Sequence, residues 1–346
     1  MRKIKTGVIG ASGYTGADLV RLAACHPAME IMALTANSHA GKRMAQVFPH
    51  LATVKLPPLV KNEEADWAEV EAVFCGLPHA TSQEVILGLP RHLKVIDMSA
   101  DFRLRDPQTY ATWYGGAHKA LDLQSEAVYG LTEHYRESIR HARLVACPGC
   151  YPTAVLTILL PLVSAGLIDP ADLIIDAKSG VSGAGRSLKQ NILFCEAGEG
   201  LSPYGVATHR HAPEIEQELS LVAGRNVTVN FTPHLIPMSR GELCTIYAKL
   251  AGQATAADCS GALNERYSDE PFVSMGPKGV LPSTQFVRGS NNVMLGVHAD
   301  RIPGRVILIS TLDNLVKGSA GQAIQNFNLM FGLPETLGLE QVALFP

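Results

Sequence analysis

"KIKTGVIGASGYTGADLV", residues 3 to 20, decides the fold. Its first half is a short apolar run that reads as a strand. Its second half, continuing into "RLAACH", carries apolar residues at helical spacing. Between the two, Gly10, Gly13 and Gly16 form G-x-x-G-x-x-G, a variant of the dinucleotide fingerprint. Glycines there let the chain turn tightly and bring backbone amides close to a pyrophosphate, with the helix N-terminus facing its charge. An ordinary tight turn also uses glycines. Their position between a terminal strand and a helix favours the nucleotide reading.

Outward from this turn, apolar runs alternate with helical or loop segments. "EIMALTA" (30–36), "EAVFCGL" (71–77), "LKVIDMS" (93–99) and "ARLVACP" (142–148) read as further strands. Runs of that length between helices predict a parallel sheet covered on both faces. After residue 150 the pattern changes. A helix from about Pro152 leads to a strand at "DLIIDAKSG", the glycine-rich loop "SGVSGAGRS", and the alternating segments "NVTVNFTPHLIP" and "ELCTIYAKL", which predict an antiparallel or mixed sheet. The fold class is α/β: a Rossmann-type parallel-sheet domain, then an α+β domain, with the change near 148–150. "NLVKGSAGQAIQNFNLMFG" (314–332) reads as a late helix whose small residues, Gly318, Ala320 and Gly321, allow close approach of another backbone or a cofactor.

Bulk properties narrow the function classes. The 346 residues exceed one ordinary domain. A formal net charge of -3 argues against nucleic acid as a partner. Seven cysteines without disulfide-like spacing point to a reducing compartment. The basic N-terminus lacks the apolar core of a signal peptide, and the run "AVLTILLPLVSAGLI" from residue 154 falls short of a bilayer span. A cytoplasmic chain with no membrane partner is the expectation.

The second strand refines the cofactor. An NAD site usually carries an acidic residue near that strand's end. Here the strand runs into "TANSHAGKR", with Ser38, Lys42 and Arg43 and no carboxylate. A hydroxyl with cations suits the 2′-phosphate of NADP(H), although a solvated basic loop has the same composition.

"ACPGCYPTA" (146–154) raises a separate question. A structural zinc site needs about four ligands, and no second C-x-x-C exists, so no metal is expected. A redox pair remains an alternative. The third reading takes Cys147 as buried core at a strand end and Cys150 as a nucleophile at a helix mouth, where the dipole and nearby amides favour thiolate and can receive an oxyanion. "YGVATHRHAPEIEQEL" offers His209 and His211 around Arg210 as proton carriers, just ahead of a helix opened by Pro213. The residues alone do not choose between the two histidines.

With these parts assembled, the chain resembles the N-acetyl-gamma-glutamyl-phosphate reductase family of the aspartate-semialdehyde dehydrogenase superfamily. The likeness runs through "GASGYTGADL", "GLPHATS", "DMSADFRL", "ACPGCYPTA", "SGVSGAGR", "YGVATHRHAPEIEQ", "FTPHLIPMSRG" and "DNLVKGSAGQAIQ". It implies Cys150 as nucleophile and His209 and His211 as the catalytic histidines. It implies NADP(H) contacts from Gly10, Ser12, Gly13, Tyr14, Thr15, Gly16, Ser38, Arg43, Pro78, Ser182, Gly183 and Asn314. It also implies an NADP-binding domain over 1–149 completed by 314–346, a catalytic and oligomerisation domain over 150–313, and a homodimer or homotetramer. The implied reaction converts N-acetyl-glutamyl 5-phosphate into the semialdehyde through a cysteine thioester, with Arg103 and Arg186 as candidate contacts to the anionic substrate. An aminoadipyl-phosphate reductase and an inactive NADPH-binding regulator stay open as alternatives.

Overall fold

In the computed structural model, which describes residues 2–346, the chain divides into two units. The first comprises the residues through Pro148 together with Ser319–Glu340; the second comprises Gly149–Gly318 and Gln341–Pro346.

The first unit is built on a seven-stranded sheet with every pair parallel. Ile4–Ile9 is the third strand across it, flanked by Met29–Thr35 on one side and Ala72–Cys75 on the other. Beyond Ala72–Cys75 follow Lys94–Asp97 and Leu144–Ala146. Each of these matches an apolar run in the sequence. Ile9, Val73, Cys75, Val95, Leu144 and Ala146 are inaccessible in one core, as both-face burial requires. Two edge strands, Leu59–Val60 and Val128–Tyr129, complete the sheet.

The late helix belongs to this unit. A π-helical turn, Val316–Ala320, precedes the α-helix Gly321–Met330, in which every residue is buried. Three of its polar side chains are bonded inside: Asn326 accepts from the Thr132 hydroxyl at 2.8 Å and donates to the carbonyl of Gly130 at 2.8 Å. Gln325 donates to Glu335 at 2.7 Å, and Asn328 meets His26 at 3.0 Å. Buried amides bonded this way fix the helix's rotation as well as its position.

The second unit carries a seven-stranded mixed sheet. Ile168–Gly180 pairs parallel with Asn230–Ile236 and antiparallel with Glu242–Leu250, which in turn pairs antiparallel with Arg305–Leu312. The helix Cys150–Ser164 packs on this sheet and on the helix Ala212–Ala223. It begins two residues earlier than the sequence suggested. The first turn of a helix has no intrahelical partners for its N–H groups, so Pro152 is tolerated inside that turn and does not have to open it.

Candidate active site

The nucleotide turn and the cysteine site are built separately, the first in the first unit and the second in the other.

In the nucleotide turn, two of the three glycines are forced by the protein itself. Gly10 has φ +79°, a left-handed conformation, and a Cβ there would lie 2.5 Å from the carbonyl of Gly76. A Cβ on Gly16 would lie 2.5 Å from the Gly10 carbonyl, so the helix Tyr14–Cys25 can seat on the turn only without it. Gly13 differs: its nearest obstacle would be 3.8 Å away. It caps that helix in extended conformation, with no acidic residue in the first turn. Ser12 and Thr15 are half-buried in the same turn, and Tyr14 is exposed. Packing does not require Gly13 to be bare, and an anion drawn to the helix amides would.

After Met29–Thr35, Ser38 and Arg43 are both exposed, and Arg43 borders a cavity of about 540 Å³ with Met44, Leu51 and Lys55. Pro78 is exposed in a loop held from below. The Asp101 carboxylate accepts from the amides of Ala80 and Ser82 at 2.8 and 3.2 Å, and from the hydroxyls of Ser82 and Tyr110 at 2.7 Å each. Ala80 takes φ +65° under this clamp. Arg103, expected to meet substrate, is only 8% exposed and donates to the carbonyls of Cys147 at 2.8 Å and Met98 at 3.1 Å. Two of its donors are thus bonded to main chain.

Cys147 is buried, and burial pushes its thiol up to about 12, with Asn326 near its sulfur at 3.7 Å. Such a thiol is inert.

In the second unit, Cys150 is partly exposed at the start of its helix, whose N-terminus has no side-chain cap and no acidic residue in the first turn. Three neighbours fix it. Glu214, in the first turn of the helix Ala212–Ala223, accepts from the amide of Gly149 at 2.8 Å. The His211 ring lies flush on Gly149, where any Cβ would collide with it. Gly318 passes so close that a Cβ there would sit 2.7 Å from the Cβ of Cys150. The small-residue stretch read from the sequence is therefore used, at Gly318, for a close approach.

The two histidines come together but are not equivalent. Their ring centroids are 4.7 Å apart, and His209 also meets Tyr151, Tyr204 and Phe231 edge-on. Desolvation, with Arg210 adding to it, lowers His209 to about 4, so it is neutral through the physiological range. Its Nδ1 accepts from the amide of His211 at 3.1 Å. Ser182, Gly183 and Asn314 also come together: the Asn314 amide donates to the Ser182 hydroxyl and its oxygen accepts from the amide of Gly241, both at 2.9 Å. Arg186 is exposed one residue beyond Gly185, whose φ is +78°.

Sequence reasoning missed two carboxylates. Glu214 looks like an ordinary acidic residue in a helix's first turn; its spacing three residues after His211 is the only hint. Glu242, next to Gly241, is inaccessible, and Cys150 faces it. Among the described residues no group of three or more metal-ligating side chains occurs, and no helix is long and apolar enough to cross a membrane.

A parallel dinucleotide-type unit followed by a mixed-sheet unit carrying a cysteine at the start of a helix defines a semialdehyde dehydrogenase. The family model described as "Semialdehyde dehydrogenase, NAD binding domain" matches residues 5–142, and "Semialdehyde dehydrogenase, dimerisation domain" matches 150–314. Among solved structures, aspartate semialdehyde dehydrogenase II from Vibrio cholerae superposes with a TM-score of 0.71 at 16% identity, covering 96% of this chain and 99% of that one. The Candida albicans enzyme with NADP gives 0.68 at 18%, covering 95% and 98%. At those identities the likeness is one of fold. Curated relatives are much closer. N-acetyl-gamma-glutamyl-phosphate reductase of Rhodospirillum rubrum is 57% identical, with 99% of each chain covered. A probable chloroplastic enzyme of the same name from Arabidopsis thaliana is 55% identical over 100% of this chain and 86% of its own. The chain belongs to the N-acetyl-gamma-glutamyl-phosphate reductase family of semialdehyde dehydrogenases.

Proposed function

We propose that this protein reduces N-acetyl-L-glutamyl 5-phosphate to N-acetyl-L-glutamate 5-semialdehyde with NADPH, releasing phosphate, through a thioester on Cys150. The observation that carries the reading is the setting of Cys150: a partly exposed thiol on an uncapped helix N-terminus, with a histidine ring packed against the preceding residue.

The steps follow from that setting. The sulfur attacks the acyl carbon, the carbonyl oxygen gains charge beside the helix amides, and phosphate leaves. When bound, the nicotinamide cofactor supplies the hydride that reduces the thioester. His211 moves the proton as the C–S bond breaks, and His209, neutral and held among aromatic rings, positions it through its bond to the His211 amide. Gly13, whose bareness packing does not demand, gives the cofactor pyrophosphate its room, with Ser12, Tyr14 and Thr15 in the same turn. Ser38 and Arg43 stand where a ribose-binding carboxylate would otherwise be, which supports NADP(H) over NAD(H). Ser182, Gly183 and Asn314 hold a loop for the cofactor's reactive end, and exposed Arg186 contacts the anionic substrate. We assign residues 1–149 with the late helix to cofactor binding and 150–313 to catalysis and assembly. A homodimer or homotetramer is supported by the exposed Leu188, Phe194 and Leu201 in the second unit.

The test runs the reaction backwards. With NADP, phosphate and N-acetylglutamate semialdehyde, NADPH absorbance rises in the wild-type protein and not in Cys150→Ser. Wild-type turnover in Cys150→Ser refutes the thioester. A strong preference for an aminoadipate semialdehyde moves the substrate assignment.

A further inference from the structure

The mechanism above leaves one buried group beside the sulfur unused. Glu242 opens the strand Glu242–Leu250, and its side chain is wholly inaccessible. A carboxylate at that depth ordinarily sits among donors. Asp313 does so, accepting from the amides of Gly289, Leu315 and Val316 at 2.7, 2.9 and 3.2 Å. Glu242 does not: among the described residues, no well-formed hydrogen bond reaches either of its oxygens. The Cys150 thiol faces it, near enough to favour the ionised carboxylate but not aligned as a full hydrogen bond.

Among the described residues, the groups that act on it are acids, thiols and phenols. Asp313 acts on it from beyond the neighbouring strand, Tyr151 from the cysteine's helix, Tyr204 from the loop before His209, and Cys244 from its own strand. The cations nearby are engaged elsewhere: Arg240 lies 3.5 Å from Asp313, and Lys178 lies 2.5 Å from Asp176. Burial therefore pushes the Glu242 carboxyl up to about 8; Cys150 lowers it and Asp313 raises it. A carboxylate and a thiolate so close together repel, so the pair favours one negative charge over two.

We propose that Glu242 is the proton acceptor for Cys150, the two side chains holding a single proton between them. This rests on Cys150 as the nucleophile. The S–H bond breaks, an O–H bond forms on the carboxylate, and the electron pair stays on sulfur; no outside reactant is needed. The thiolate then attacks beside a neutral carboxylic acid, which does not repel an anionic acyl phosphate. When the C–S bond breaks, sulfur regains its pair and the shared-proton state returns.

The experiment follows alkylation of Cys150 by iodoacetamide against pH, read by mass spectrometry, in the unsubstituted protein and in Glu242→Gln. Burial raises the carboxyl into the range where thiols ionise, so carboxylate and thiol share the single charge. Alkylation of the unsubstituted protein is expected to rise, level off well below its full rate, and rise again only when both groups ionise. Glu242→Gln is expected to show one rise and to run several-fold faster on that plateau, with the KM for NADPH unchanged. A single rise in the unsubstituted protein overturns the proposal, and that measurement needs no variant to fold. A Glu242→Gln profile superimposed on wild type, or a change confined to substrate KM, overturns it too. Turnover by Cys150→Ser would fell the thioester reading itself. An inactive Cys150→Ser beside single-step alkylation would fell only Glu242.

Discussion

Replacing Gly318 by alanine puts a methyl carbon 2.7 Å from the Cβ of Cys150, 3.2 Å from its Cα and 3.3 Å from a Leu312 methyl. Non-bonded carbons settle at about 3.5–4.0 Å, so the π-helical turn and the start of the cysteine's helix must part by about 1 Å. Two effects oppose each other. Alanine is a better helix former than glycine by about 1 kcal/mol. Overpacking costs about 1–3 kcal/mol, and the atoms met first are the Cβ and Cα of Cys150, which cannot swing aside as a side-chain tip does. The steric cost wins, and the melting temperature is expected to fall by a few degrees. The larger effect is on chemistry, because a displacement of about 1 Å at a reacting group costs about 100-fold in rate. NADPH absorbance gives kcat and KM, a thermal melt gives stability, and iodoacetamide reports the thiol directly. A Gly318→Ala protein that melts higher than wild type and turns over normally would refute the contact as a constraint on Cys150.

Three further outcomes follow from the same geometry. Cys147→Ala is expected to keep substantial turnover, and iodoacetamide should label Cys150 well before Cys147, whose thiol burial holds near 12; abolished activity in a folded Cys147→Ala would revive the redox pair. His209 stays neutral down to about 4 in the folded chain but titrates near ~6.5 when unfolded. The unfolded state therefore binds the extra proton as pH falls from 6.5 towards 4, and the fold loses up to about 3 kcal/mol across that window; denaturant melts of His209→Asn should show a flatter acid limb, and an unchanged limb contradicts the burial. NADPH should serve far better than NADH, and Arg43→Ala should narrow that preference by raising the KM for NADPH alone; equal efficiency of wild type with both cofactors contradicts the assignment of Ser38 and Arg43.

The sequence made the central strands legible because each buries a continuous apolar run, as "AVFC" at 72–75 does. Leu59–Val60 and Val128–Tyr129 escaped because two residues carry no period to read. Gly10 and Gly16 were legible as a turn, but only coordinates separate them from Gly13. The place of Cys150 at a helix start was legible because proline and glycine flank it. Glu242 was not, since a glutamate opening "ELCTIYAKL" has the look of a solvated strand end. Its burial comes from the strands Ile168–Gly180 and Arg305–Leu312 on either side, both distant in sequence. The burial of Arg103 and its bonds to the carbonyls of Cys147 and Met98 were likewise invisible, since they depend on chain brought in from 44 residues away.

The helix Gly321–Met330 completes a sheet whose strands all lie before residue 147. A ribosome delivers chain in order, so those strands emerge long before the element that covers them. Until it arrives, Phe74 lacks the Phe327 ring that meets it at 5.6 Å, and Thr132 and the Gly130 carbonyl lack Asn326. The growing N-terminal part must therefore wait, incompletely closed, through the synthesis of about half the protein. Messages cut short before codon 319 would yield a product that no amount of time lets finish, and a chaperone would hold it longest.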